Sequence, residues 1–115
     1  MKKTIKIGTE EFEMSASAYT QFKYKNETGR SLIKDLTQIA NKYKDISESD
    51  VLEKFDDIEE FIDLALRIAY IMSLEGKSVS GSYEDFLMKI DNYLDNLDWF
   101  GEVMELAISP LQRNV

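Results

Sequence analysis

Every second residue is apolar in Thr4-Ile5-Lys6-Ile7 and again in Phe12-Glu13-Met14, which is the period of a strand with one buried face. Ile5 and Ile7 are expected to share one face, and Phe12 and Met14 another. Gly8 stands between the two stretches, where a turn needs permissive backbone. Residues 1–15 are predicted as a short β-hairpin. A two-stranded hairpin is marginal alone in water, so it must pack on the helices of the remaining chain.

From residue 16 to 109 the apolar period is helical. Ala18, Tyr19, Phe22 and Lys23 open a short helix that runs out near Thr28-Gly29, where glycine suits the position just past a helix end. A second helix opens around Ser31, with Leu32, Leu36, Ile39, Ala40 and Tyr43 on one face. The polar run 44–50 breaks it, and Ser47 and Ser49 are candidate N-caps for the next element. That next helix is the most apolar stretch. Between Phe61 and Leu74 its polar side chains, the Tyr70 hydroxyl aside, are Asp63, Arg67 and Ser73, and the acid-first, four-residue spacing of Asp63 and Arg67 suits an ion pair on a narrow exposed stripe. Residues 75–81 form a loop, after which Ser82 and Asp85 make a capping box. Tyr83, Phe86, Leu87, Ile90, Leu94 and Leu97 then predict one amphipathic helix whose outer face carries Asp91, Asp95 and Asp98. A last helix, roughly Trp99 to Ile108, stops at Pro110, leaving residues 110–115 as a frayed tail. The expected fold is one mainly α domain over residues 1–115, with about five helices after the hairpin.

Composition narrows the function more than the fold. The chain has 115 residues and neither histidine nor cysteine. That removes thiol nucleophiles, disulfides, zinc ribbons, the usual general base near neutral pH and the commonest transition-metal ligand. Carboxylates remain, in Asp91, Asp95 and Asp98 and in Asp56, Asp57, Glu59 and Glu60. On regular helix these are solvated faces, since a calcium loop wraps its ion with irregular, glycine-containing backbone, and a ferritin-like site needs a histidine. The glycines form no phosphate-binding loop. The Ser-x-x-Lys spacing at Ser31 and Lys34 is explained by a helix cap. No catalytic residue, metal or cofactor is expected, and the chain is read as non-enzymatic. The Lys-rich N-terminus lacks the apolar stretch of a signal peptide, and the apolar run 61–74 falls short of the roughly 20 residues a bilayer requires and carries two charges. A cytoplasmic protein is expected.

Net charge is −8, which argues against nucleic acid or an anionic membrane as a partner. The charge is uneven. Residues 1–44 carry 9 Lys+Arg and 5 Asp+Glu, whereas residues 45–115 carry 5 and 17, giving +4 and −12. Solvation of exposed helix faces by the acids is the favoured account of this split; the alternative is that copies associate head to tail in a ring or filament. Aromatic side chains are the other candidate contact material. Phe22 and Tyr24 lie in the lysine-flanked Phe22-Lys23-Tyr24-Lys25-Asn26, where packing of the hairpin on the first helix is the expected role. Trp99, Phe100 and Met104 offer bulky apolar area near the end of the chain, with closure of the core as the equal alternative for Trp99 and Phe100. These five are the candidate partner contacts.

The segment Ile5-Lys6-Ile7-Gly8-Thr9-Glu10-Glu11-Phe12-Glu13-Met14, with Tyr24-Lys25-Asn26-Glu27-Thr28-Gly29-Arg30-Ser31-Leu32 after it, resembles the tail assembly chaperones of long-tailed bacteriophages and prophages of Gram-positive hosts. In that family a hairpin leads to a Y-[KR]-x-x-[FT]-G-[KR] segment and a leucine-containing helix. Thr28 stands where many members have phenylalanine. The stretch from Leu64 to Asp91 also resembles the family's middle part, an apolar helix, a polar loop and a [ST]-[YF]-E-D-F helix start. The resemblance implies a protein of the host bacterial cytoplasm that binds the tape measure protein, keeps it soluble and helps recruit tail tube subunits. It also implies that this chain matches the shorter product of a frameshifted gene. A small acidic helical adaptor for another cytoplasmic protein is the alternative.

Overall fold

Residues 1–43 and 55–111 are described by a computed structural model, with backbone alone at 40, 42, 43 and 55–58. The expected break at 44–50, the Ser47 and Ser49 caps, the side chains of Ala40, Tyr43, Asp56 and Asp57, and residues 112–115 of the tail lie outside the described residues.

Strands β1 (Lys2–Ile7) and β2 (Glu10–Ser15) pair antiparallel with Ile5 opposite Phe12. Directly opposed residues point to the same side of a sheet. Ile5, Ile7, Phe12 and Met14 therefore form a single buried face, not the two faces expected from alternation within each strand. The two-residue turn is Gly8-Thr9, with Gly8 at φ 63°. A positive φ at the first central residue gives this turn the twist that matches its strands.

Helix α1 (Ala18–Thr28) starts at Ser17 in a capping box closed by Thr20 and stops at Gly29, which has φ 72° and donates its N–H to the Lys25 carbonyl. Helix α2 (Leu32–Tyr43) is capped by Ser31, whose Oγ accepts from the Lys34 N–H at 3.3 Å. Helix α3 (Phe55–Glu75) is the centre of the domain and packs against β2, α1, a short α4 (Tyr83–Leu87) and α5 (Asp98–Ile108). Its buried residues include Ile62, Ala65, Ile68, Ala69, Ile71 and Met72, and Ser73 is buried too, its hydroxyl donating to the Ala69 carbonyl at 2.8 Å. The mainly α architecture with an N-terminal hairpin is as expected. No helix among the described residues is long and apolar enough to cross a membrane.

Three local expectations are corrected. The helix expected from Tyr83 through Leu97 ends at Leu87, although its Ser82–Asp85 capping box is present. Residues 88–97 run irregularly, with Asn92 at φ 57°. The backbone there passes so close to the hairpin that a Cβ on Gly8 would lie 1.6 Å from the Asp91 carbonyl oxygen. A continuing helix would break that contact. Second, Asp63 and Arg67 are joined through Tyr83 and make no direct ion pair: the Arg67 guanidinium lies 4.2 Å from the centre of the Tyr83 ring, whose hydroxyl donates to Asp63 Oδ1 at 3.1 Å. A cation over an aromatic face gains from the ring quadrupole, so Arg67 turns to the ring. Third, α5 ends at Ile108 as expected, but residues 110 and 111, expected in the frayed tail, belong to a 3-10 turn (Ser109–Leu111) that follows it.

Candidate partner-docking surface

Helix α1 is held from both ends by polar contacts that leave one of its faces unused. At its start, the Ser17 and Thr20 hydroxyls donate to the Glu75 carboxylate at the end of α3, Ser17 at 3.0 Å. At its end, the Tyr24 hydroxyl donates to Asp35 Oδ2 at 2.7 Å. Arg30 reaches the same carboxylate with both Nε and Nη2, at 2.8 and 2.9 Å. Asp35 is 3% exposed. Burial pushes its pKa up, but the Arg30 and Tyr24 hydrogen bonds outweigh burial and hold it below the usual carboxylate range. Burial, then Asp35, raises the Tyr24 phenol above its ordinary value. The Tyr24-to-Arg30 segment thus carries a clamp: Tyr24 and Arg30 grip Asp35, and Gly29 turns the chain between them.

The five candidate contacts separate sharply. Tyr24, Trp99, Phe100 and Met104 are buried. Trp99 donates its indole N–H to the Tyr93 carbonyl at 2.8 Å and meets Phe100 edge-on. These four help close the core, so presenting them to a partner would require opening it. Nor does the Phe22–Asn26 segment serve to dock the hairpin. Helix α1 packs chiefly on α3 and α2, with Tyr24 pointing in and Phe22 out.

Phe22 is 61% exposed. Beside it is Tyr19, absent from the candidates, at 52% exposure and with its ring centre 6.1 Å away. The three-residue spacing places both on one side of the helix. Phe22 also borders a shallow depression of about 440 Å³ where Ala18, Gln21 and Lys25 of α1 face Ser31 and Leu32 at the start of α2. Two turns of α1 thus offer two aromatic rings, a concavity and a lysine. Lys23 belongs to a separate pair, 3.0 Å from Glu27, whose hydrogen bond raises its pKa. The signal for Tyr19 was in the sequence: α1 places aromatics at 19, 22 and 24, and a helix cannot turn all three inward.

Asp91, Asp95 and Asp98 are exposed, as expected, but on irregular backbone and the first turn of α5, not along one helical face. Asp95 and Asp98 border a depression of about 400 Å³ with Lys6 and Glu102. Among the described residues no three acidic side chains converge closely enough to hold a metal ion. No family model, curated protein or solved structure matches the chain.

Proposed function

We propose that this chain is a non-enzymatic tail assembly chaperone of a long-tailed phage or prophage, binding the tape measure protein in the bacterial cytoplasm and helping recruit tail tube subunits. The observation that carries the docking half of this proposal is the exposed Tyr19–Phe22 pair. Two adjacent aromatic rings are left in water by a chain that buries most of the other large apolar side chains among its described residues, and such a pair marks a contact surface. Aromatic side chains are the commonest energetic anchors of protein interfaces. The choice of partner rests on the resemblance carried by the hairpin and by Tyr24, Gly29 and Arg30.

In this scheme an apolar seam of the long helical tape measure protein lies along α1, covering Phe22 and Tyr19. The −8 net charge keeps the complex soluble. The test is copurification with fragments of the tape measure protein encoded beside the gene. The native chain should retain them at low and moderate salt. Phe22→Ser and Tyr19→Ser should each weaken retention by about tenfold or more, the usual effect of truncating an interface anchor. Absence of retention at both salt concentrations refutes the chaperone assignment. Undiminished retention by both variants refutes the docking surface.

A further inference from the structure

A second apolar surface lies away from α1 and has the opposite electrical character. Ile62 and Leu66, one turn apart on α3, form the floor of an open groove of about 300 Å³. Leu87, Ile90 and Tyr93, each half-buried, form its wall. Glu59 and Asp63, both exposed, stand along the α3 rim. The wall exists because the chain leaves helical geometry after Leu87: the irregular backbone sets Leu87, Ile90 and Tyr93 beside α3 as a separate row. Residues 59 to 66 advance about 10 Å at 1.5 Å per residue. That length matches two turns of a guest helix, whose side chains at three- and four-residue steps would interleave with the two apolar rows.

The rim settles the charge of the guest. Two carboxylates flank the floor, in the part of the chain that carries −12. An acid-flanked apolar helix entering here would set like charges against Glu59 and Asp63, whereas a base-flanked one gains attraction at both and is steered inward by the surrounding field. We propose that the groove between α3 and residues 87–93 binds a short amphipathic helix of another protein, with leucine-like side chains inward and lysine or arginine on its flanks. This site is distinct from the Tyr19–Phe22 surface, and its existence does not depend on the chaperone assignment.

The test uses the full chain and two labelled probe peptides of equal length and apolar content, a leucine–lysine amphipathic helix and its leucine–glutamate counterpart. Anisotropy titrations should show saturable one-to-one binding of the lysine peptide, about tenfold or more tighter than the glutamate peptide at low salt. In methyl spectra of the unmutated protein, the shifts should centre on Ile62, Leu66, Leu87 and Ile90. Glu59→Lys should weaken binding by about tenfold, while the control Glu105→Lys, an exposed acid on α5 that does not border the groove, should change it by less than about twofold. Three results overturn the proposal: equal affinity for the two peptides, methyl shifts centred outside the groove, or equal loss in Glu59→Lys and Glu105→Lys. The last would mean that the peptide reads net charge alone. The methyl map needs no variant, so it decides the matter even if Glu59→Lys perturbs the fold.

Discussion

Tyr24→Phe isolates a single hydrogen bond in the clamp that joins α1 to α2. The substitution keeps the buried ring and deletes the hydroxyl that donates to Asp35 Oδ2 at 2.7 Å. Asp35 keeps both contacts from Arg30, so its charge is not stranded, and the loss is that of one hydrogen bond to a charged group, about 1.5–3 kcal/mol. With a urea dependence of about 1–3 kcal/mol per molar for a domain of this size, the unfolding midpoint should fall by roughly 1–2 M. The dependence on pH identifies the cause. Asp35 has a folded pKa below its unfolded value, so the stability it contributes is complete above the unfolded value of about 3.9 and is lost as pH falls through the folded one. Tyr24 supplies part of that lowering, so the gap between native and variant proteins should be widest near neutrality and should narrow below pH ~4. Urea unfolding monitored by circular dichroism at neutral and acidic pH measures both quantities. In an Asp35→Asn background, the same Tyr24→Phe change should cost less, by the coupling between the two side chains. An unchanged midpoint refutes the reasoning, and so does a gap of the same size at both pH values, which would make Tyr24 a packing residue only.

Two glycines test the backbone argument. Gly29→Ala meets no atom within 4 Å but must hold φ 72°, which costs about 1–2 kcal/mol. Gly8→Ala adds to similar strain a contact of 1.6 Å with the Asp91 carbonyl oxygen, so it should cost at least about 3 kcal/mol and lower the melting temperature much more. Equal melting temperatures for the two variants would refute the close approach of hairpin and residue 91. Trp99, the one tryptophan of the chain, is 1% exposed. Its emission should be blue-shifted and resist acrylamide until urea unfolds the domain; quenching as ready as that of a free indole would disprove its burial.

What was legible in the sequence was local. Ser31 and Ser82 stand before their helices with side-chain partners three residues on, so the starts of α2 and α4 could be placed from short windows of sequence, whereas the Ser17 cap of α1 emerged only in the structure. The hairpin was evident from period two and Gly8, and Gly29 marked the end of α1. Burial of aromatics was harder to assign. Tyr24 and Phe22 differ by two positions in a helix with almost no apolar stripe, and what sends Tyr24 inward is Asp35, 11 residues away, waiting with Arg30 to receive its hydroxyl. Trp99 and Phe100 resembled contact residues because Gly101 and the end of the chain stand near them. They are interior because α5 packs across both α3 and β1, an arrangement fixed by tertiary packing and not by their neighbours.

The most instructive departure is the stretch after Leu87. Apolar residues at 83, 86, 87, 90, 94 and 97 satisfy a helical period, yet the same spacing serves an irregular path, because it only requires that these positions return to the core in turn. Two paths were open to this segment, and local propensity separates them weakly. What separates them strongly is contact with Gly8, more than 80 positions earlier, where the missing side chain admits the Asp91 carbonyl. A helix through 97 would draw residue 91 back from that contact, and Asn92 is a residue type that enters left-handed backbone at comparatively low cost. The turn at Asn92 therefore has a local permit and a long-range cause. Its consequence reaches the surface: residues 87–93 stand off from α3 as a separate apolar row, and the acid-rimmed groove exists only because the helix stops. Any change that rebuilt this helix should close the groove while leaving most of the core in place. Loss of lysine-peptide binding in Gly8→Ala, with the Tyr19–Phe22 surface still active, would tie the hairpin's turn to the groove on α3.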